Sequence, residues 1–98
     1  MTEFSQSRPI IHPGEHLKAE LDDLGISIRA FARALDVPHN RLTAIIQGRR
    51  AITADTALRL AACLGTPAEA WLDLQKEWEL RCAQEEHGEA ILTRVTPL

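Results

Sequence analysis

The sequence has 98 residues, enough for one domain with a modest core and no second, and a hydrophobic share of 45% excludes wholesale disorder. Only four residues are aromatic, so the core must be built from Leu, Ile and Ala, which favours helices over sheets. The net charge of −3 speaks against a uniformly basic nucleic-acid binder, and no apolar run approaches the roughly 20 residues that span a bilayer.

The opening stretch MTEFSQSRP lacks the charged-then-apolar pattern of a secretory signal, so a cytoplasmic protein is expected, with residues 1–12 as a flexible lead-in. A first helix is predicted over 13–24. Pro13 suits its first turn, Glu15 favours the positive helix end, and Leu17, Leu21 and Leu24 share a face before Gly25 closes it. Ser27 caps a second helix over 28–35, with Ile28, Phe31, Ala32 and Leu35 as its stripe. Asp36-Val37-Pro38 breaks it after two turns. A third helix is predicted over 39–47, held inward by Leu42 and Ile45 and stopped by Gly48. Thr53 caps a fourth over 54–64, with Ala57, Leu58, Ala61 and Leu64 facing inward and Gly65 closing it. Thr66-Pro67-Ala68-Glu69 reads as a capping box for a fifth helix over 67–83. Residues 84–98, where the pattern weakens around Gly88, are assigned to a short C-terminal tail. The class is all-α, five helices, with the folded domain at 13–83.

The charge is unevenly distributed. Residues 27–50 carry five arginines against the single Asp36, while both flanks are acidic. A local basic surface is what phosphates require, whatever the global sum. The second and third helices, joined by a three- or four-residue turn with small alanines (Ala30, Ala32, Ala34) where they cross, form a helix-turn-helix. In that motif the second helix enters the major groove. Here it offers His39, Asn40, Arg41, Thr43 and Ala44 to base edges. Asn pairs bidentately with adenine, Arg with guanine, and Thr or Ala methyls meet the thymine methyl. Ser27, Arg29, Arg49 and Arg50 flank this set as phosphate contacts.

The stretch SIRAFARALDVPHNRLTAIIQGRRAIT resembles the helix-turn-helix of the phage-repressor-like (XRE/Cro) superfamily, with Ala32, Leu35, Val37, Leu42, Ile45 and Gly48 at its structural positions. Ile28 departs from the Gln that many relatives place after the second-helix cap, so that residue's contacts are not carried over. With the flanks HPGEHLKAEL, ITADTALRLAACLGTPAEAWLDLQ and TRVTPL included, roughly residues 10–82 resemble antitoxins of the HigA/VapI type. The resemblance implies repression of its own toxin–antitoxin operon and neutralisation of a small basic toxin, a RelE-like messenger-RNA endonuclease; a homodimer on a palindromic operator is expected because one helix-turn-helix buries too little surface for tight specific binding. A stand-alone repressor without a toxin partner is the alternative. No enzymatic activity and no cofactor are expected.

A basic toxin calls for an acidic surface away from the DNA face. Glu20, Asp22 and Asp23 on the first helix are the candidates, with Asp73, Glu77 and Glu79 on the fifth as the other acidic stretch. Trp71 and Trp78 either close the core alone or also leave a surface for a second subunit. Trp78, Leu80 and Leu98 are the dimer candidates. His12 and His16 lack further ligands for zinc, and Pro13-Gly14 puts His12 outside the regular helix. Cys63 and Cys82 lack a CxxC partner and read as small buried hydrophobes.

Overall fold

The computed structural model describes residues 11–98, so the predicted lead-in at 1–12 lies outside the described residues except for Ile11 and His12. Five helices are present, in the order α1 (Pro13–Leu24), α2 (Ile28–Leu35), α3 (His39–Ile46), α4 (Ala54–Leu64) and α5 (Ala68–Arg94), with no strand among the described residues. No helix is long and apolar enough to cross a membrane among the described residues.

Side chains close the starts of α1, α2 and α4, and left-handed residues close their ends. His12 Nδ1 accepts from Gly14 N–H at 2.9 Å, and Ser27 Oγ accepts from Ala30 N–H at 3.1 Å. Each satisfies a donor that has no partner inside its helix. Gly25 and Gly65 end α1 and α4 at positive φ, whereas α2 ends on Asp36 at φ 59°, a conformation that an aspartate tolerates better than most residues. Val37 N–H returns to Ala32 O at 3.0 Å, which folds the turn back on α2.

The core gathers Leu17 and Leu21 of α1, Phe31, Ala32 and Leu35 of α2, Leu42 and Ile45 of α3, Ile52, Ala57 and Leu60 around α4, and Trp71 of α5. Burying each large side chain contributes about 1.5–3 kcal/mol relative to exposure. Helix α1 crosses α3 with its backbone almost in contact: a Cβ on Gly14 would collide with the carbonyl oxygen of Ile45 and lie 2.8 Å from its carbon. Helix α5 covers α1 and α4. Its Gln75 is buried, accepting Ile52 N–H at 2.8 Å and donating to Glu79 Oε2 at 2.9 Å.

Four expectations need correction. Helix α5 does not stop near residue 83 but continues to Arg94, so most of the predicted tail is helix and only 95–98 lack regular structure. One mid-helix glycine costs about 1 kcal/mol, and the strong helix formers around Gly88 carry the helix through it. The chain turns extended at Val95, ahead of Pro97. In α4 the inward face is Thr56, Ala57 and Leu60, while Leu58 is 64% exposed. Residues 57, 60, 61 and 64 lie on one side of a helix and 58 is a step of about 100° away. The capping box at 66–69 does not form. Pro67 takes the cap position with no side-chain bond, and Thr66 Oγ1 accepts from the indole N–H of Trp71 at 2.9 Å. Cys63 is exposed and Cys82 half-buried, because one sits to the side of the inward face of α4 and the other lies beyond the core on α5.

Candidate nucleic-acid interface

Helices α2 and α3 are joined by Asp36, Val37 and Pro38, and Leu42 and Ile45 anchor α3 from below. That leaves His39 and Asn40 exposed at the start of the helix and Thr43 and Ala44 half-buried one turn later on the same side. Gln47, exposed at the C-cap, extends this face by another turn and was not singled out in the sequence. Its side-chain carbonyl oxygen accepts from Arg49 Nε at 3.0 Å and Nη2 at 2.6 Å, which folds the Arg49 side chain toward the end of α3. Arg50 is exposed beside it. The loop bearing both arginines is fixed at one end by Gly48, at φ 79°, and at the other by the Ile52–Gln75 bond.

Arg29 is exposed on the first turn of α2. Ser27 is exposed too, and although its oxygen accepts from Ala30 N–H, its own O–H remains a donor. Arg41 does not stand out alone in solvent as its neighbours do. Its Nη1 donates to Asp55 Oδ2 at 3.0 Å, and Arg59 Nε donates to the same oxygen at 2.9 Å. Hydrogen bonding from Arg59, then from Arg41, outweighs the opposing desolvation and holds the Asp55 carboxyl below its ordinary range, while Asp55 raises the pKa of Arg59. Asp55 and Arg59 were missed in the sequence. Their i, i+4 spacing marks them as a pair, but the link to Arg41 spans 14 residues and leaves no local signal.

The acidic candidates and the dimer candidates fall elsewhere. Asp22 and Asp23 are exposed near the end of α1 and Glu20 is half-buried; Asp22 is paired with Lys18 at 2.9 Å. Leu24 and Ile26 are exposed next to them. Trp78 is half-buried on α5, with its ring 4.7 Å from His12 in an edge-to-face arrangement, whereas Leu80 and Leu98 are exposed. Further along α5 Ile91 is exposed and Leu92 is 82% exposed, and Val95 just past its end is exposed too, an apolar strip with no cover among the described residues. Among the described residues no three His, Cys, Asp or Glu side chains are grouped to hold a metal ion.

The helix-turn-helix family model matches residues 17–71. A solved addiction module antidote protein of the HigA family from Coxiella burnetii is 47% identical, with a TM-score of 0.90 over 93% of this chain and 100% of that one. This chain belongs to the HigA antitoxin family. The HigA-family chain is also similar to virulence-associated protein I of Dichelobacter nodosus, 44% identical over 79 residues that make up 80% of this chain and 73% of that protein. Pseudomonas aeruginosa antitoxin HigA, solved with the higBA promoter, is 40% identical with a TM-score of 0.88 over 92% of this chain and 99% of that one.

Proposed function

We propose that this chain is a DNA-binding antitoxin that represses its own toxin–antitoxin operon and neutralises a small basic toxin of the RelE-like, messenger-RNA-cleaving kind. The observation that carries the reading is the outward face of α3, set between arginines on α2 and on the loop after α3, in a protein closely similar to a HigA solved with promoter DNA. In this reading His39, Asn40, Arg41, Thr43 and Ala44 meet base edges, and Ser27, Arg29, Arg49 and Arg50 meet phosphates. A single helix-turn-helix buries too little surface for tight specific binding, so two copies engage a palindromic site with their α3 helices about 34–36 Å apart. A protein that binds operator DNA works in the cytoplasm in this reading, and nothing in its role calls for catalysis.

The toxin arm rests on charge. A protein that cleaves RNA presents a basic surface, and Glu20, Asp22 and Asp23 with the adjoining Leu24 and Ile26 offer it an acidic and apolar one, distinct from α3.

Two measurements test the reading. Asn40→Ala should cost about 1–3 kcal/mol on a duplex selected by the wild type and relax preference at one base pair. Arg50→Ala should weaken binding to every duplex and lower the salt slope by about one. Equal, sequence-independent losses from both changes would remove α3 as the base reader. Co-expression with the product of the adjacent reading frame tests the other arm: a stable complex supports the antitoxin, and binding to DNA alone leaves a stand-alone repressor.

A further inference from the structure

Arg41 is the third residue of α3, yet its side chain is only 26% exposed because it leans on the start of α4. There Asp55 Oδ2 receives Arg41 Nη1 at 3.0 Å and Arg59 Nε at 2.9 Å. Arg59 is itself held. Its Nη1 donates to Leu35 O and to Asp36 O, each at 3.0 Å. These are the last carbonyls of α2, and Asp36 is the one described non-glycine residue at positive φ. A continuous series of hydrogen bonds thus runs from the end of α2, through two side chains of α4, to a side chain of the base-facing helix.

The chemistry of the guanidinium gives this arrangement a purpose. Arginine has five N–H donors in a planar fork, and Asp55 engages Nη1. The opposite edge, Nε with Nη2, presents two parallel donors and fits guanine O6 and N7 without disturbing the Nη1 bond. A long arginine normally surrenders much rotamer freedom on docking, and one already clamped at Nη1 has less to surrender. The cost is electrostatic. A carboxylate beside the DNA-facing helix repels every phosphate, so it lowers affinity for all duplexes alike.

We infer that Asp55, itself fixed by Arg59, is a positioning residue that clamps Arg41 so that its free edge reads a guanine. This rests on the reading of α3 as the base-facing helix. Three roles for Asp55 then differ in sign. A clamp loses discrimination at one base pair when removed while non-specific binding holds or rises. A purely structural residue loses both together. A mere negative charge, once removed, raises specific and non-specific binding alike.

The experiment uses a duplex selected by the wild-type protein from a random library, its single-base-pair variants, and an unrelated duplex. Arg41→Ala identifies the base pair that Arg41 reads, by an expected loss of about tenfold or more in discrimination there. Asp55→Asn, nearly isosteric at a side chain 57% exposed, should lose about three- to tenfold at that same pair, with binding to the unrelated duplex unchanged or tighter. Arg59→Gln should reproduce the loss in weaker form. Added to Arg41→Ala, Asp55→Asn should change discrimination no further. Retained discrimination in Asp55→Asn, a loss spread over all positions, or a further loss in the double variant would each overturn the inference while leaving α3 as the reader. If Arg41→Ala itself leaves every preference intact, Arg41 reads no base and the inference falls with it; Asn40→Ala then reports separately whether α3 reads bases.

Discussion

A proton on His12 would set two donors face to face. Its Nδ1 accepts Gly14 N–H at 2.9 Å, which requires the neutral ring, and the ring is buried against Trp78. Burial is the main influence on its pKa and lowers it from 6.5, against the raising effect of Glu15 and Glu79. The unfolded chain therefore takes up this proton near pH 6.5, while the folded chain takes it up only at lower pH. Between those two values the unfolded state holds the extra proton, so the His12 contribution is complete above the unfolded value and is lost as the pH falls below it. His12→Asn keeps a capping oxygen and removes the titration. Urea unfolding monitored by circular dichroism at about pH 8 and about pH 5.5 should show a smaller loss for His12→Asn than for the wild type. Equal losses would assign the pH dependence to other groups. None of this was legible in the sequence, where His12 stood as a residue outside the first helix and, with His16, as an incomplete zinc pair.

The same substitution at two helical glycines should act in opposite directions, because one lies against the backbone of another helix and the other has room. In α1, a methyl on Gly14 meets the carbonyl of Ile45, which belongs to the backbone of α3 and has no rotamer to move to. Gly14→Ala should cost about 1–3 kcal/mol, as overpacking does. In α5, the nearest neighbour to such a methyl on Gly88 is Gln84 Cβ at 3.9 Å, ordinary contact. Gly88→Ala should stabilise by about 0.5–1 kcal/mol in helix propensity. Chemical denaturation of both variants checks the pair of signs. The contrast also marks what the sequence could convey at this scale. The close of α1 at Gly25, the Ser27 cap of α2, the break at Asp36–Pro38 and the anchors Leu42 and Ile45 were readable because each is a local signal. The run of α5 past Gly88 was not readable, because a glycine ends a helix only where it adopts the left-handed conformation, and the helix formers on both sides of Gly88 keep it out of that conformation. The phase of α4 was hidden because Leu58 competes with Leu60 for the inward side and packing, which no local signal reports, decides between them. That His39, Asn40, Thr43 and Ala44 turn away from the core was readable for the same reason as the anchors of α3, whereas the contact of Arg41 with Asp55 was not, since Asp55 comes from the neighbouring helix.

For the whole molecule, the distal part of α5 is the least supported. Its 27 residues extend about 40 Å, longer than the bundle needs, and Ile91, Leu92 and Val95 stand exposed toward its end. A second copy covering this strip would provide the two-fold partner that a palindromic site requires. Ile91→Asp combined with Leu92→Asp, both on the surface, should give a folded monomer by sedimentation that binds a palindromic duplex without cooperativity. An unchanged dimer would put the interface elsewhere. The buried amide of Gln75 adds a consequence for how such a molecule would respond to its ligands. It joins Ile52, at the end of the arginine loop, to the helix that carries the bare strip. A partner held by α5 and a ligand held by the loop would therefore meet at one joint. If a partner on the strip changes the affinity for DNA by some factor, DNA must change the affinity for that partner by the same factor. An operator coupled through this joint would then act as an effector of assembly as well.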